Sequence, residues 1–259
     1  MPDLSQVVHY DVIGVPLAVR KVRHSEDLEV QVPCHWHEDF EFVRVLKGEI
    51  LYSVGEKTLL LQEGDGLFTN SRQMHDVRAF RGGDNIATCT LIHPDLVTSN
   101  PKLYEQYVKP LLSENALPYI LISPSGEGYR KFADCLDEVW RLKDAARPGY
   151  EIAVIGYLPS LLAELSGRMA APEEETTSLS VQKLAAQKKM VTFIAKNYDK
   201  PISLDDIAAS ADLSKSTCIR LFKTYAHQSP YNFLLDYRLQ VACGLLTDTD
   251  KTVNEISAL

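Results

Sequence analysis

The sequence predicts an α+β chain of two domains, an antiparallel β-barrel or sandwich followed by an all-helical domain. Three observations carry this. Short β-rich runs alternate with turn signals from Val15 to about Ile92, and after Pro94 the apolar residues recur at helical spacing. Near residue 170 a stretch without large apolar side chains then separates two parts of different charge. The 259 residues, 45% hydrophobic and 24% charged, suffice for two buried cores and exclude the disordered, collagen-like and coiled-coil classes.

In the first part the runs VPLAVRKV, LEVQV, FEFVRVL, EILYSV, KTLLL, GLFTN and ATCTLI are bounded by glycine-rich turns such as Lys47-Gly48, Gly55-Glu56 and Gly64-Asp65-Gly66. His35, His37 and Glu41 stand at odd positions, which places them on one face of a single strand. Two imidazoles and a carboxylate converging in this way suit a divalent metal (Mn, Fe, Ni or Zn), with His75 as a fourth ligand from across the barrel; a metal-free polar pocket is the alternative. Val43 and Val45, next on that face, supply an apolar floor. His9, His24 and His93 are expected to be surface or structural residues.

Two amphipathic helices follow. Phe132, Leu136, Val139 and Trp140 share one face of the first, and Ile152, Ile155, Leu158, Leu162 and Leu165 are apolar positions of the second, after Pro148-Gly149. The pair packs on its own barrel or forms a dimer seam. The expected layout is residues 1–98 barrel, 99–170 helical dimerisation region, 171–180 linker and 181–259 helical domain. Residues 1–180 carry a net −10 and residues 181–259 a net +2, so a nucleic-acid partner belongs to the C-terminal part. The uncharged stretch from Ile152 to Ala163 is too short for a membrane span, the N-terminus has no signal pattern, and the five cysteines show no ligand spacing. A cytoplasmic protein with free thiols is expected.

The C-terminal helices are marked by their caps. Ser203 with Asp206, Ser214, Ser229-Pro230, and Thr252 with Glu255 each begin one. The helices at 204–209 and 215–225 are separated by Ser210-Ala211-Asp212-Leu213, a length suited to a helix-turn-helix. Cys218, Leu221 and Phe222 fall on the core face of the second, and Lys215, Ser216, Thr217, Ile219, Arg220 and Lys223 supply a basic outward surface that fits a DNA groove. On periodicity alone, a solvated face of an ordinary bundle fits equally.

The spacing of Leu213-Ser214, Arg220-x-Phe222-Lys223, Ser229-Pro230, Tyr237-Arg238-Leu239, Leu245-Leu246 and Thr252-x-x-Glu255-Ile256 resembles the DNA-binding domain of the AraC/XylS family of bacterial transcription regulators, across residues 187–259. The resemblance implies two helix-turn-helix units joined by a long helix from Pro230 to Leu246, with 215–225 as the first recognition helix on promoter DNA. Asp212 stands where the family usually has glycine, and the second unit is expected to be incomplete at Leu259. His35-x-His37-x3-Glu41-x6-Gly48, followed by Gly64-Asp65 and His75, resembles the cupin barrel over about residues 15–95, although Asn70-Ser71-Arg72 replaces the usual P-x-G. Together these imply a homodimeric transcription regulator with a cupin-type sensor for a small-molecule effector, a sugar being one candidate. The alternatives are a metal-dependent cupin enzyme and a truncated dimerisation partner unable to bind DNA. No nucleophile-base pair or phosphate loop argues for an enzyme.

Overall fold

The computed structural model describes residues 10–12, 14–24, 32–81, 83–113, 116–169 and 178–257. The chain divides into two compact units, residues 5–176 and 177–259.

The first unit contains β1 (Leu17–His24), β2 (Val32–His35), β3 (Phe40–Lys47), β4 (Glu49–Val54), β5 (Lys57–Gln62), β6 (Gly66–Thr69), β7 (His75–Ala79), β8 (Asn85–Ile92) and β9 (Tyr119–Ile122). All pair antiparallel, in a five-stranded sheet of order β1-β8-β3-β6-β9 and a four-stranded sheet of order β2-β7-β4-β5. Successive side chains on a strand point to opposite faces. Val43, Val45, Leu67 and Ala87 therefore meet Ile50, Tyr52, Val54 and Val77 in one core. The alternate residues Leu17, Val19, Phe40, Phe42, Phe68, Ile92 and Ile120 build a second core.

That second core is covered by helices. A single turn, α1 (Pro101–Leu103), runs on through irregular helical turns to Leu112, β9 returns to the sheet, and α2 (Tyr129–Ala145) and α3 (Tyr150–Met169) follow. The segment expected to be helical from residue 99 thus contributes a strand. Phe132, Leu136 and Val139 of α2 and Val154, Leu158, Leu161 and Leu165 of α3 lie in the second core, each at most 2% exposed. Of the two expectations for these apolar stripes, barrel packing or a dimer seam, the first is observed: they are buried within the chain, at roughly 1.5–3 kcal/mol per buried side chain. Ile152, placed on the apolar face, is 78% exposed instead. Contact is close because β6 begins with a glycine: a Cβ on Gly66 would stand 2.4 Å from the Phe132 ring.

β7 and β9 were not read from the sequence. LEVQV falls largely outside the described residues and enters them at Val32, the start of β2. Most of the expected linker, residues 171–177, also lies outside them, and its last residues, 178–180, already belong to a helix.

The second unit consists of α4 (Ser178–Asn197), α5 (Leu204–Ala209), α6 (Lys215–Tyr225), α7 (Pro230–Asp248) and α8 (Val253–Ser257). The caps read from the sequence are made: Ser203 and Asp206 form a reciprocal capping box, Ser214 and Ser229 accept amide hydrogens at 3.3 and 3.1 Å, and Thr252 and Glu255 bond reciprocally. Asp212 holds the turn between α5 and α6 at φ 57°, a left-handed conformation that aspartate adopts more readily than most residues. Met190, Ile194, Ile207, Cys218, Leu221, Phe222 and Phe233 form the core, with the Phe222 and Phe233 rings edge to face at 5.4 Å.

Candidate functional site

The four residues expected to form a pocket do converge, by a different route. His35 ends β2, His37 lies in the connection that leaves it, Glu41 is the second residue of β3, and His75 opens β7. His35, His37 and Glu41 are therefore not on one strand: the chain breaks from β geometry at Trp36–Asp39 and crosses from one sheet to the other. His35 and His75 are cross-strand neighbours in the β2–β7 pair, with ring centroids 4.1 Å apart. One ligand atom from each of the four residues lies within 4.8 Å of every other.

The donors are oriented for a cation. His37 Nδ1 lies 3.0 Å from the Asp39 carbonyl and His75 Nδ1 lies 2.9 Å from that of Gln73, so both rings carry their proton on Nδ1 and turn Nε2 inward. Glu41 Oε2 is 3.2 Å from His37 Nε2 and 3.0 Å from His75 Nε2, the latter off the line of a good hydrogen bond. These spacings approach the edge of about 3.3 Å that a tetrahedron of ligands at zinc-like distances requires. Glu41 Oε1 accepts from the Tyr52 hydroxyl at 3.0 Å, and Thr69 donates to that hydroxyl at 3.2 Å. Burial alone would push Glu41 up, but His75 and His37 outweigh it and hold its carboxyl well below the usual range. Burial would lower His75, and the Glu41 carboxylate overrides it and raises the imidazole. Three imidazoles and one carboxylate, of which His37, Glu41 and His75 are buried and backed by hydrogen bonds while His35 is half-buried, fit a divalent metal.

Beside this cluster lies a cavity of about 250 Å³. His35 and Glu41 form part of its wall, and Val22, Val32, Val43, Ile50, Val77 and Ala87 give it an apolar lining. Val43 is thus on the cavity as expected, whereas Val45 sits in the apolar core. Burial first, and then the Glu41 charge, keep the lining thiol of Cys89 well above its usual value and neutral. Of the two expectations for His24, surface or structural, burial leaves the second: it is 4% exposed, lines the cavity, and burial lowers its pKa. The signal was its parity with Ala18 on β1. His93 caps the turn at Pro94, a structural role as expected, and His9 lies outside the described residues.

In the second unit, Lys215, Ser216, Arg220 and Lys223 are exposed on α6, Thr217 and Ile219 are half-buried, and Cys218, Leu221 and Phe222 are buried. Lys215 is less available than its position suggested, because its Nζ lies 2.7 Å from Asp205 on α5. Another basic residue, Arg238 of α7, is engaged in holding the fold: it donates to the carbonyls of Tyr198 and Lys200 at 2.7 and 2.8 Å.

Comparison with known proteins agrees with both units. Residues 26–90 match the Cupin domain family. Over 255 residues the chain is 29% identical to the HTH-type transcriptional regulator YdeC of Bacillus subtilis, an alignment covering 98% of this chain and 87% of that protein. Along nearly its whole length, then, the chain is similar to HTH-type transcriptional regulators, with a cupin match over its barrel. The chain is also 20% identical to the melibiose operon regulatory protein of Escherichia coli K12, over 93% of its length and 82% of that protein's. A single-residue variant of apo ToxT from Vibrio cholerae shares the fold, with a TM-score of 0.50 at 8% identity over 94% of this chain and 88% of that one. Among the described residues, no helix is long and apolar enough to cross a membrane.

Proposed function

We propose that the chain is a regulator of AraC/XylS type that binds promoter DNA through α6, and that a small effector held in the cupin barrel controls that binding. The observation that carries the reading is the pairing, in one regulator chain, of a partly polar, largely apolar cavity with an exposed basic helix following a helix-turn-helix turn. Arg220 and Lys223 are the side chains assigned to DNA, the first to a base edge and the second to phosphate, with Ser216, Thr217 and Ile219 beside them and Lys215 contributing once released from Asp205. His35, His37, Glu41 and His75 hold a divalent metal, which when bound supplies a positive docking point for an oxygen of the effector. The protein is a regulator and not an enzyme. It acts as a homodimer, in which two copies of α6 address two half-sites, through surfaces other than the buried stripes of α2 and α3.

Two experiments test this. Selection from a random duplex pool should enrich a defined sequence with the wild-type chain and not with Arg220→Ala. Native mass spectrometry of freshly purified protein should find a small molecule that is lost when Ala87→Leu narrows the cavity. Failure to enrich any sequence would overturn the DNA assignment, and an empty wild-type barrel with unaltered DNA binding in the cell would overturn the effector assignment.

A further inference from the structure

The cavity has a second polar end. It follows the inner face of β1, where Ala18, Arg20, Val22 and His24 line it in turn. The six steps from Ala18 to His24 make that run roughly 20 Å long. Across β8, Ala18 is level with Leu91, which in turn is level with Glu41 of β3, so the histidine cluster stands at one end. His24 is level with Asn85 at the other. Between them the lining is mostly apolar, interrupted by the Cys89 thiol and by Arg20, whose guanidinium is engaged by Asp11.

His24 and Asn85 are each 4% exposed, yet His24 Nδ1 and Asn85 Nδ2 have no hydrogen-bond partner among the described residues. The orientation of Asn85 is fixed: its Oδ1 accepts the Glu49 amide at 2.9 Å, in a space that exists because residue 48 is glycine, whose Cβ would lie 2.2 Å from that oxygen. The free atom is therefore the amide nitrogen, a donor. Buried polar groups are rarely left unpaired; His24 lines the cavity and Asn85 is its cross-strand neighbour behind that wall, so the pair calls for a ligand atom reaching this end. Among the described residues the cross-strand partners of this pair are each other, and an Asn amide nitrogen suits a neutral oxygen acceptor.

We propose that His24 and Asn85 form a second recognition pole, and that the effector is an elongated molecule with an anionic oxygen for the His35, His37, Glu41 and His75 end, an apolar middle, and a neutral hydroxyl or carbonyl oxygen for the His24 and Asn85 end. This rests on the barrel cavity being the effector site.

The test compares 10-hydroxydecanoate with decanoate as probes, by titration calorimetry on the full chain. The wild type should prefer the hydroxy acid by about tenfold, the scale of one well-made hydrogen bond to a buried donor. His24→Leu should bind decanoate as well as the wild type does and show no preference, while His24→Gln, which keeps a hydrogen-bonding group, should retain part of it. Equal wild-type affinities, a preference surviving in His24→Leu, or no binding of either acid would each overturn the proposal. The effector reading is judged separately, by the co-purified molecule and its loss in Ala87→Leu, so the two fail independently.

Discussion

At the scale of single residues, what matters is which atom each side chain leaves free. His37 and His75 have Nδ1 committed to backbone carbonyls, so removing one ring takes away a pre-oriented donor while the others stay in place. His37→Ala should abolish near-stoichiometric zinc or manganese binding, whereas His93→Ala, at a turn cap, should leave it intact; metal analysis showing equal content in both would reject the site. Arg220 and Lys223 are both exposed on α6 but are assigned different work. Arg220→Ala should cost about 1–3 kcal/mol on a selected sequence and little on random DNA, while Lys223→Ala should weaken both alike and flatten the salt slope. Equal losses for Arg220→Ala on the two DNAs would make it a positioning residue. His24 makes a third prediction, about pH. Its folded pKa lies below the unfolded value, so the unfolded chain binds the extra proton and stability rises with pH. This contribution is complete above the unfolded value of about 6.5 and is lost as pH falls below it. Denaturant melts between pH 5 and 7 should therefore be flatter for His24→Leu than for the wild type, and parallel curves would count against a buried neutral imidazole.

At the scale of elements, local signals were readable and non-local ones were not. The capping box at Ser203 and Asp206 lies within four residues of sequence, and its effect is correspondingly local: Ser203→Ala should cost about 0.5–2 kcal/mol by chemical denaturation. β7 and β9 escaped notice because HDVRA and YILI are short and owe their conformation to partners far along the chain, β4 and β6. The same limit explains the histidine cluster. Its membership was legible from residue type and spacing, but the crossing between sheets at Trp36–Asp39 that brings the four together follows from tertiary packing. His24 and Asn85 were invisible as a pair until the β1–β8 register set them level. The α2 stripe shows that periodicity names the buried face and not what buries it. Gly66 offers a check on that packing: Gly66→Ala should destabilise by about 1–3 kcal/mol through contact with Phe132, and Phe132→Leu should cost less in that background than in the wild type. Additive costs would mean that the ring and the glycine do not meet as described.

For the whole molecule, the question is how far an event in the barrel is felt by the helical unit. The chain has two tryptophans, Trp36 and Trp140, and both belong to the unit of residues 5–176. Intrinsic tryptophan fluorescence therefore reports that unit alone, while far-ultraviolet circular dichroism is dominated by helices from both. A metal that binds only the folded barrel stabilises it by mass action, by about 2.7 kcal/mol at a free concentration a hundred times its dissociation constant. If the units unfold independently, zinc should raise the fluorescence midpoint and leave a second, unshifted step in the dichroism. If zinc moves both signals together, the units share one cooperative transition, and occupancy of the His35, His37, Glu41 and His75 site is then energetically coupled to the unit that carries α6. The His37→Ala variant is the control in either case. Its melts should not respond to zinc, and a shift that persists in it would assign the stabilisation to some other metal site.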